Sequence, residues 1–176
     1  MSREADQKTQ GEPDPAFVGN VFADLRLEGG PAVGALIVTE DGRYLMQQRD
    51  RRPDIYFPGH WGMFGGAVNP GENMDAAILR ELVEEIGFRP DRVSYFTRFV
   101  SDLSRLDQPD IVRVVYETPI DDDALAGLRL AEGRDMRVFT AEELLTGKHV
   151  VPYDAFAVWL HRCQARFGAD SVSRSS

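Results

Sequence analysis

The segment Gly66–Phe88 reads Gly-Ala-Val-Asn-Pro-Gly-Glu-Asn-Met-Asp-Ala-Ala-Ile-Leu-Arg-Glu-Leu-Val-Glu-Glu-Ile-Gly-Phe, a glycine-bounded loop followed by a patterned run. Successive residues of a helix are about 100° apart around its axis. On such a helix the apolar residues after Met74 fall on one side and the charged residues fall on the other. The segment is therefore predicted to form an amphipathic helix that packs its apolar side against a core.

The polar side of this helix carries glutamates rather than alternating charges. Glu81, Glu84 and Glu85 are spaced i, i+3 and i+4, so their carboxylates can converge on one point. Carboxylates this close raise one another's pKa unless a cation or an arginine offsets the charge. Because hard divalent cations prefer oxygen ligands, the spacing indicates a metal site.

The two ends of the helix also have sequence signals. Asn73 is expected to be the N-cap, and Asp75 places a negative charge in the first turn. Gly87 stands where a helix commonly ends in a left-handed residue. The predicted helix therefore runs from Met74 to Ile86.

The same residues resemble the Nudix box, in which a glycine and a glutamate precede Arg-Glu-apolar-x-Glu-Glu-x-Gly-apolar at fixed spacings. The matching positions are Gly66, Glu72, Arg80, Glu81, Leu82, Glu84, Glu85, Gly87 and Phe88. So many fixed positions make this motif far more specific than a lone glycine-rich pattern. The resemblance implies a three-layer α/β/α sandwich with a mixed central β-sheet. It also implies a hydrolase that cleaves a nucleoside diphosphate linked to another group X, with Mg²⁺ or Mn²⁺.

The acids suit the hydrolysis of a diphosphate. The bridging oxygen leaves with negative charge and anionic oxygens shield the phosphorus, so water attacks slowly without cations and a base. The resemblance implies that Glu84 and Glu85 bind metal and that Glu81 is either a ligand or the base. Arg80 is expected to hold a carboxylate through a forked hydrogen bond. For Glu72, a water-mediated metal contact and a loop-closing hydrogen bond are both open.

Two further metal contacts are predicted outside the helix. Gly65 and Gly66 let the backbone approach a cation or phosphate, and the resemblance implies a carbonyl ligand at Gly66; a glycine-permitted bend is the alternative. Glu132 is comparable to a late glutamate that binds metal or acts as base in several family members; a surface turn is the alternative. The predicted catalytic residues are Arg80, Glu81, Glu84 and Glu85, and the predicted metal ligands are Gly66, Glu81, Glu84, Glu85 and Glu132.

The predicted substrate contacts precede the box. Arg49 and Arg51 belong to a basic cluster, and Arg49 is a candidate for phosphate contact. Tyr56 and Trp61 are candidates for stacking on a base, although aromatic residues near proline in a loop also commonly cover a core edge.

The chain lacks residues that are typical of two Nudix subfamilies, which narrows the substrate class. Leu103 stands where ADP-ribose hydrolases tend to have proline, and Arg105 where dinucleoside polyphosphate hydrolases favour tyrosine. A nucleoside triphosphate is favoured and a nucleotide sugar is second. The alternative from another class is a catalytically silent sensor or partner-binding module, which would be expected to lose a box acid. A prenyl diphosphate isomerase would need a cysteine before the box, and the only cysteine is Cys163.

Composition and charge limit the partners. The net charge of −9 disfavours a general nucleic-acid or anionic-membrane surface, so a small nucleotide is the expected partner. A single cysteine excludes an intramolecular disulfide and fits a reducing compartment, and no apolar run is long enough to cross a membrane. A cytoplasmic location is therefore expected, and a homodimer is common among relatives.

One domain, residues 16–167, is predicted between unstructured tails at 1–15 and 168–176. Strands are expected at Val21–Leu27, Ala32–Thr39, Tyr44–Arg49, Val93–Val100, Ile111–Glu117 and Met136–Phe139, with short extended segments at Gly62–Phe64 and Ala67–Val68. Helices after the box are expected at Ala141–Leu145 and Tyr153–Phe167.

Overall fold

The computed structural model describes residues 30–102, 104 and 110–172. The strands are β1 (Gly30–Thr39), β2 (Tyr44–Gln48), β3 (Trp61–Gly62), β4 (Ser94–Ser101), β5 (Ile111–Ile120) and β6 (Asp135–Phe139). The helices are α1 (Met74–Ile86), α2 (Asp122–Gly127) and α3 (Pro152–Val172), with a π-helical turn at Glu143–Gly147. The predicted tail 1–15, the predicted strand Val21–Leu27, and residues 103 and 105–109 lie outside the described residues.

The strands form one mixed sheet in the order β3-β2-β1-β5-β4, and β6 pairs with β2. β1 and β5 run parallel from Gly30↔Ile111 to Thr39↔Ile120, whereas the other strand pairs are antiparallel. After β3 the chain stays beside β1 through the bridges Phe64↔Ala35 and Ala67↔Ala32. This path brings the loop that precedes α1 against an interior strand of the sheet.

Each face of the sheet is covered by a helix. Ile37 of β1 packs in one apolar cluster with Ile78 and Leu82 of α1. Leu36, the residue before Ile37, lies on the opposite face of the sheet and packs in a second cluster with Val158 of α3. Burying one such side chain contributes about 1.5–3 kcal/mol. The two clusters on opposite faces confirm the predicted α/β/α sandwich with a mixed sheet.

The bounds predicted for α1 are confirmed. The Asn73 side chain accepts a hydrogen bond from Ala76 N (2.7 Å), as an N-cap does. At the other end Gly87 has φ 69°, and its N–H donates to Val83 O (3.0 Å). A left-handed glycine that satisfies a late carbonyl ends the helix at Ile86.

Other elements differ from the prediction. α2 was not predicted, although Asp121 caps it by accepting a hydrogen bond from Ala124 N (2.7 Å). The predicted helix at Ala141–Leu145 is helical from Ala141, but it becomes a π-helical turn at Glu143–Gly147 and ends two residues later than predicted. Thr146 Oγ1 donates to Glu142 O (2.7 Å) within that turn, a side-chain bond to the backbone that competes with regular helix.

The predicted domain, residues 16–167, lies only partly within the described residues. Its first residues, 16–29, are not described, so the N-terminal limit stays a prediction. α3 continues to Val172, five residues into the segment 168–176 that was predicted as a tail. Across residues 30–172, as far as they are described, no helix combines the length and the apolar composition needed to cross a membrane.

Candidate active site

Arg80 is the centre of a hydrogen-bond network on the polar side of α1. Its Nε and Nη2 donate to the two carboxylate oxygens of Glu72 (2.9 and 3.0 Å), which makes a forked pair. Its Nη1 donates to Glu81 Oε1 (2.7 Å) and Glu84 Oε2 (3.1 Å), and Nη2 also donates to Ala67 O (3.1 Å). All five N–H donors of a guanidinium are thereby used. Arg80 therefore ties the loop before α1 to two acids of the helix.

Glu72 closes that loop. Its carboxylate accepts a hydrogen bond from Asn69 N (3.0 Å), and its own N–H donates to Asn69 O (3.0 Å). The hydrogen bonds from Arg80, with a smaller contribution from Asn69, hold the pKa of Glu72 down at about 2. Of the two roles left open for Glu72, this geometry supports the loop-closing one.

Glu85 is the most deeply placed acid, with a relative exposure of 6%. Its Oε1 accepts a hydrogen bond from Gln47 Nε2 (3.0 Å), and its Oε2 accepts one from Gly65 N (2.7 Å). Burial raises the pKa of Glu85 to about 7; the two hydrogen bonds oppose the rise, and the charges of Glu81 and Glu132 add to it. A nearby cation would favour the charged form and lower this pKa.

Glu81 lies directly against the backbone of Gly66. A Cβ placed on Gly66 would be 2.7 Å from Glu81 Oε1, so any larger residue would require the carboxylate to move from this position. Burial raises the pKa of Glu81, and the neighbouring Arg80 opposes the rise. The Gly66 carbonyl, predicted as a metal ligand, accepts a hydrogen bond from Val33 N (2.9 Å) within the sheet. Gly66 thus also makes space for Glu81, and the predicted metal contact of its carbonyl, which has a second lone pair, stays a prediction.

Glu84 completes the trio on the outer side of α1. Its side chain is 55% exposed, and one carboxylate oxygen accepts the hydrogen bond from Arg80. The other two acids of the trio are much less exposed. Glu84 is thus the acid that an ion arriving from solvent can reach without any rearrangement.

The loop that carries Glu132 is attached to both α1 and β2. Ala131 N donates to Glu85 O (2.7 Å) at the end of the helix, and Arg134 N donates to Gln48 O (2.8 Å) in the strand. Glu132 is exposed, and its charge contributes to the raised pKa of both Glu81 and Glu85. The predicted late glutamate therefore acts electrostatically on the same acids that the box supplies.

The chemistry of this donor set fits a hard divalent cation. The candidate ligands are carboxylate oxygens, and burial raises the pKa of two of them, Glu81 and Glu85, so that their charged forms call for a positive neighbour. Within the described residues no three carboxylate, imidazole or thiol side chains already stand in a metal-binding arrangement. Arg80 occupies Glu81 and Glu84 instead. Arg80 bonds only one oxygen of each of these carboxylates, so the other oxygen of each remains available to a cation.

Comparison with known proteins identifies the family. A family model described as NUDIX domain matches residues 29–160, most of the chain. The chain belongs to the Nudix family. The resemblance carried by the Nudix box is confirmed, and the intact set of box acids agrees with a Nudix hydrolase.

Two relatives illustrate how far the likeness goes. The nucleoside triphosphatase NudI of Escherichia coli O1:K1 / APEC is 42% identical over 52 residues, which are 29% of this chain and 36% of NudI. The matched part of the chain thus spans little more than a third of that curated relative. The crystal structure of a MutT protein from Methanosarcina mazei Go1 has a TM-score of 0.65 at 22% identity, covering 79% of this chain and 98% of that one. That likeness shows the Nudix fold.

A third relative is NrtR of Shewanella oneidensis. Its NUDIX domain, in a cocrystal structure with ADP ribose, has a TM-score of 0.64 at 19% identity and covers 88% of this chain and 99% of that one. NrtR complexed with a 27mer DNA has a TM-score of 0.61 at 21% identity, covering 76% of this chain and 61% of that one. A Nudix fold thus occurs in a protein that binds DNA.

The residues predicted to contact the substrate lie in different environments. Arg49 Nε donates to Tyr56 O (2.7 Å), so these two are held together at the end of β2. Arg51 is exposed, and its side chain covers Gly59. Trp61 is 8% exposed and its ring packs against Phe139 with 4.7 Å between centroids, which supports the alternative that it covers a core edge.

A buried charge pair was missed by the sequence reasoning. Arg113 Nη2 lies 3.5 Å from Asp154 Oδ1, and Met63 N donates to Asp154 Oδ2 (2.9 Å). Burial raises the pKa of Asp154, and the charge of Arg113 opposes the rise. The arginine also lies over the ring of Tyr153, 4.7 Å from its centroid. The sequence signal for this pair was a charged residue within the apolar run 111–115.

Gln47 was missed as well. It lies on β2 with a relative exposure of 5%, and its amide reaches Glu85 and Met63 O (3.3 Å). A buried amide must find hydrogen-bond partners, and here one of them is an acid of the Nudix box. The available signal was its position two residues after the core residue Leu45, on the same face of β2.

Proposed function

We propose that this Nudix domain is a metal-dependent hydrolase that cleaves the diphosphate linkage of a nucleoside diphosphate linked to X, by attack of water on phosphorus. A nucleoside triphosphate is the leading substrate class and a nucleotide sugar is the second. The observation that carries the proposal is the gathering of Glu81, Glu84 and Glu85 beside Arg80, with Glu81 and Glu85 buried enough to raise their pKa.

The cofactor in this proposal is Mg²⁺, with Mn²⁺ as the alternative. Glu84, Glu85, Glu132 and the Gly66 carbonyl would hold it, with Glu81 as a further ligand or as the base. When bound, such a cation neutralises the anionic oxygens of the diphosphate and the charge on the leaving oxygen. This donor set of oxygens suits either ion, since both accept carboxylate ligands.

The residues of the chain have distinct tasks in this reaction. Arg80 orients two of the acids and keeps the loop closed on α1 through Glu72. Glu81 is a further metal ligand or the base that activates water, and burial raises its pKa. Glu85 keeps its orientation through two hydrogen bonds from the sheet side.

The substrate class rests on two supports. NudI, which shares 42% identity over 52 residues, is named a nucleoside triphosphatase. Arg49 and Arg51 supply positive charge near the end of β2, which an anionic nucleotide needs in a chain of net charge −9. In this proposal Arg49 contacts a phosphate, and Tyr56, which it holds, borders the nucleoside.

The alternative is a silent sensor or partner-binding module. NrtR, a protein with a Nudix domain of the same fold, has been crystallised with ADP ribose and with DNA. Against a silent role here, every acid of the box is present, and Arg80 holds three of them, Glu72, Glu81 and Glu84, in one network. The acidic net charge favours a small nucleotide over nucleic acid as the partner. A cytoplasmic location, in line with the single Cys163, and a homodimer belong to the same proposal.

The test is hydrolysis of a panel of nucleoside triphosphates and nucleotide sugars with Mg²⁺ or Mn²⁺. Released pyrophosphate or phosphate is measured for the wild type, Glu84→Gln, Glu85→Gln and the control Glu40→Gln, which changes an exposed turn residue. We expect wild-type turnover, retained by the control and abolished in the two box variants. Nucleotide binding without turnover of any compound would overturn the hydrolase and favour the sensor.

A further inference from the structure

Gln47 closes a ring of hydrogen bonds around the most buried acid of the site. Its Nε2 donates to Glu85 Oε1 (3.0 Å) and to Met63 O (3.3 Å). Two residues after Met63, Gly65 N donates to the other carboxylate oxygen of Glu85 (2.7 Å). Both oxygens of the acid are therefore fixed from the sheet, one by a side chain and one by the backbone.

The same side chain also determines how closely the Glu132 loop can approach. A Cβ on Gly133 would lie 2.9 Å from Gln47 Oε1, and Gly133 has φ +87°, a conformation that favours glycine. Gln47 is paired with Met136 at the start of β6. The loop thus enters β6 directly over the Gln47 amide, with Glu132 immediately before the contact.

We propose that Gln47 is a positioning residue that fixes the Glu85 carboxylate and seats the Glu132 loop, so that acids from two distant parts of the sequence face one metal-binding space. The inference rests on the proposed function, because it assumes that these acids bind a cation. Hydrogen-bond partners that orient metal ligands typically contribute about 10- to 100-fold to metal affinity or activity when they are lost.

A packing role makes a different prediction from a positioning role. Gln47→Met keeps the length and apolar volume of the side chain but removes both donors. Gln47→Asn keeps the amide but is one methylene too short to reach Glu85. If Gln47 only fills space in the core, Gln47→Met should bind metal as the wild type does. If Gln47 positions Glu85, both variants should bind metal more weakly. Thr118→Val is the matched control, because Thr118 is fully buried and its hydroxyl donates to Arg92 O (2.8 Å), with no contact to the box acids.

The experiment measures Mn²⁺ binding without turnover, from the electron paramagnetic resonance signal of free Mn²⁺. We expect Gln47→Met and Gln47→Asn to bind Mn²⁺ about 10- to 100-fold more weakly than the wild type, and Thr118→Val to bind it as the wild type does. Wild-type Mn²⁺ affinity in a folded Gln47→Met protein would overturn the inference. Absence of Mn²⁺ binding by the wild type would overturn the proposed function itself.

A second measurement does not depend on whether the variants fold. In the ¹⁵N-labelled wild type, the side-chain amide protons of Gln47 should exchange slowly with solvent, and their resonances should shift when Mg²⁺ is added. Fast exchange, or resonances that stay in place while Mg²⁺ binds, would show that Gln47 is not coupled to the metal-binding acids.

Discussion

Glu85 should make the metal-free protein lose stability as the pH rises. Its ordinary pKa is 4.5, and burial raises the folded-state pKa to about 7. A carboxyl with a higher pKa in the folded state binds its proton more tightly there. Its contribution to the free energy of unfolding is therefore fully present below pH 4.5 and is lost as the pH rises through about 7.

The size of the loss follows from the two pKa values. At about 1.36 kcal/mol per pKa unit, the difference corresponds to about 3 kcal/mol in full. Between about pH 5 and about pH 8 the expected loss is about 2.5 kcal/mol. Glu85→Gln removes this pH-dependent part but loses one hydrogen-bond acceptor, a cost of about 1–3 kcal/mol at every pH. The variant should therefore be clearly less stable than the wild type at the lower pH and close to it at the higher pH.

The assay is urea unfolding in a chelating buffer at both pH values, for the wild type, Glu85→Gln and Glu84→Gln. Glu84 is the control because it lies on the same helix with a side chain 55% exposed, so its removal should leave the wild-type pH dependence intact. Added Mg²⁺ should restore wild-type stability at the higher pH, since a ligand of the folded state stabilises it. An unchanged pH dependence in Glu85→Gln would refute the reasoning.

Three further changes have expected outcomes. Arg80→Lys replaces a five-donor fork with a point charge and should lower kcat by about 10- to 100-fold, measured by pyrophosphate release; wild-type kcat would refute it. Gly66→Ala places a Cβ 2.7 Å from Glu81 Oε1 and should weaken Mn²⁺ binding while the circular dichroism spectrum is kept; unaltered binding would count against the close approach. Arg113→Met leaves Asp154 buried without its cation and should cost about 3–5 kcal/mol in urea unfolding, with much of the loss recovered when Asp154→Asn is added; no recovery would contradict the pairing.

The local parts of the site could be predicted from the sequence. The bounds of α1, its Asn73 cap and its Gly87 end depend on residues a few positions apart, and so does the reach of Arg80 to Glu84 at i, i+4. Short-range spacing on a helix fixes such contacts before any tertiary structure is known. The prediction of α1 was correct for this reason.

The contacts between distant segments could not be predicted in the same way. Trp61 was a candidate either for stacking on a base or for covering a core edge, and the position of its ring against Phe139 depends on the pairing of its short strand with β2. Gln47 meets Glu85 only because β2 passes beneath the end of α1. Such contacts between side chains depend on strand order and register, which a single sequence does not specify. The missed α2 is a different case, since Asp121 was an unused local cap signal.

The Nudix box names three glutamates but leaves them unequal in environment. Glu84 and Glu85 are neighbours in sequence, so about 100° of helix rotation separates their side chains. That rotation directs Glu84 to solvent and Glu85 to the sheet, where Gln47 and Gly65 bind it. Glu84, which faces solvent, is accessible to a cation. Glu85, which faces the sheet, is held in one orientation, and its burial raises its pKa. One helix therefore supplies both a solvent-accessible ligand, Glu84, and a fixed one, Glu85. The contacts of the sheet with α1 determine which glutamate has each property.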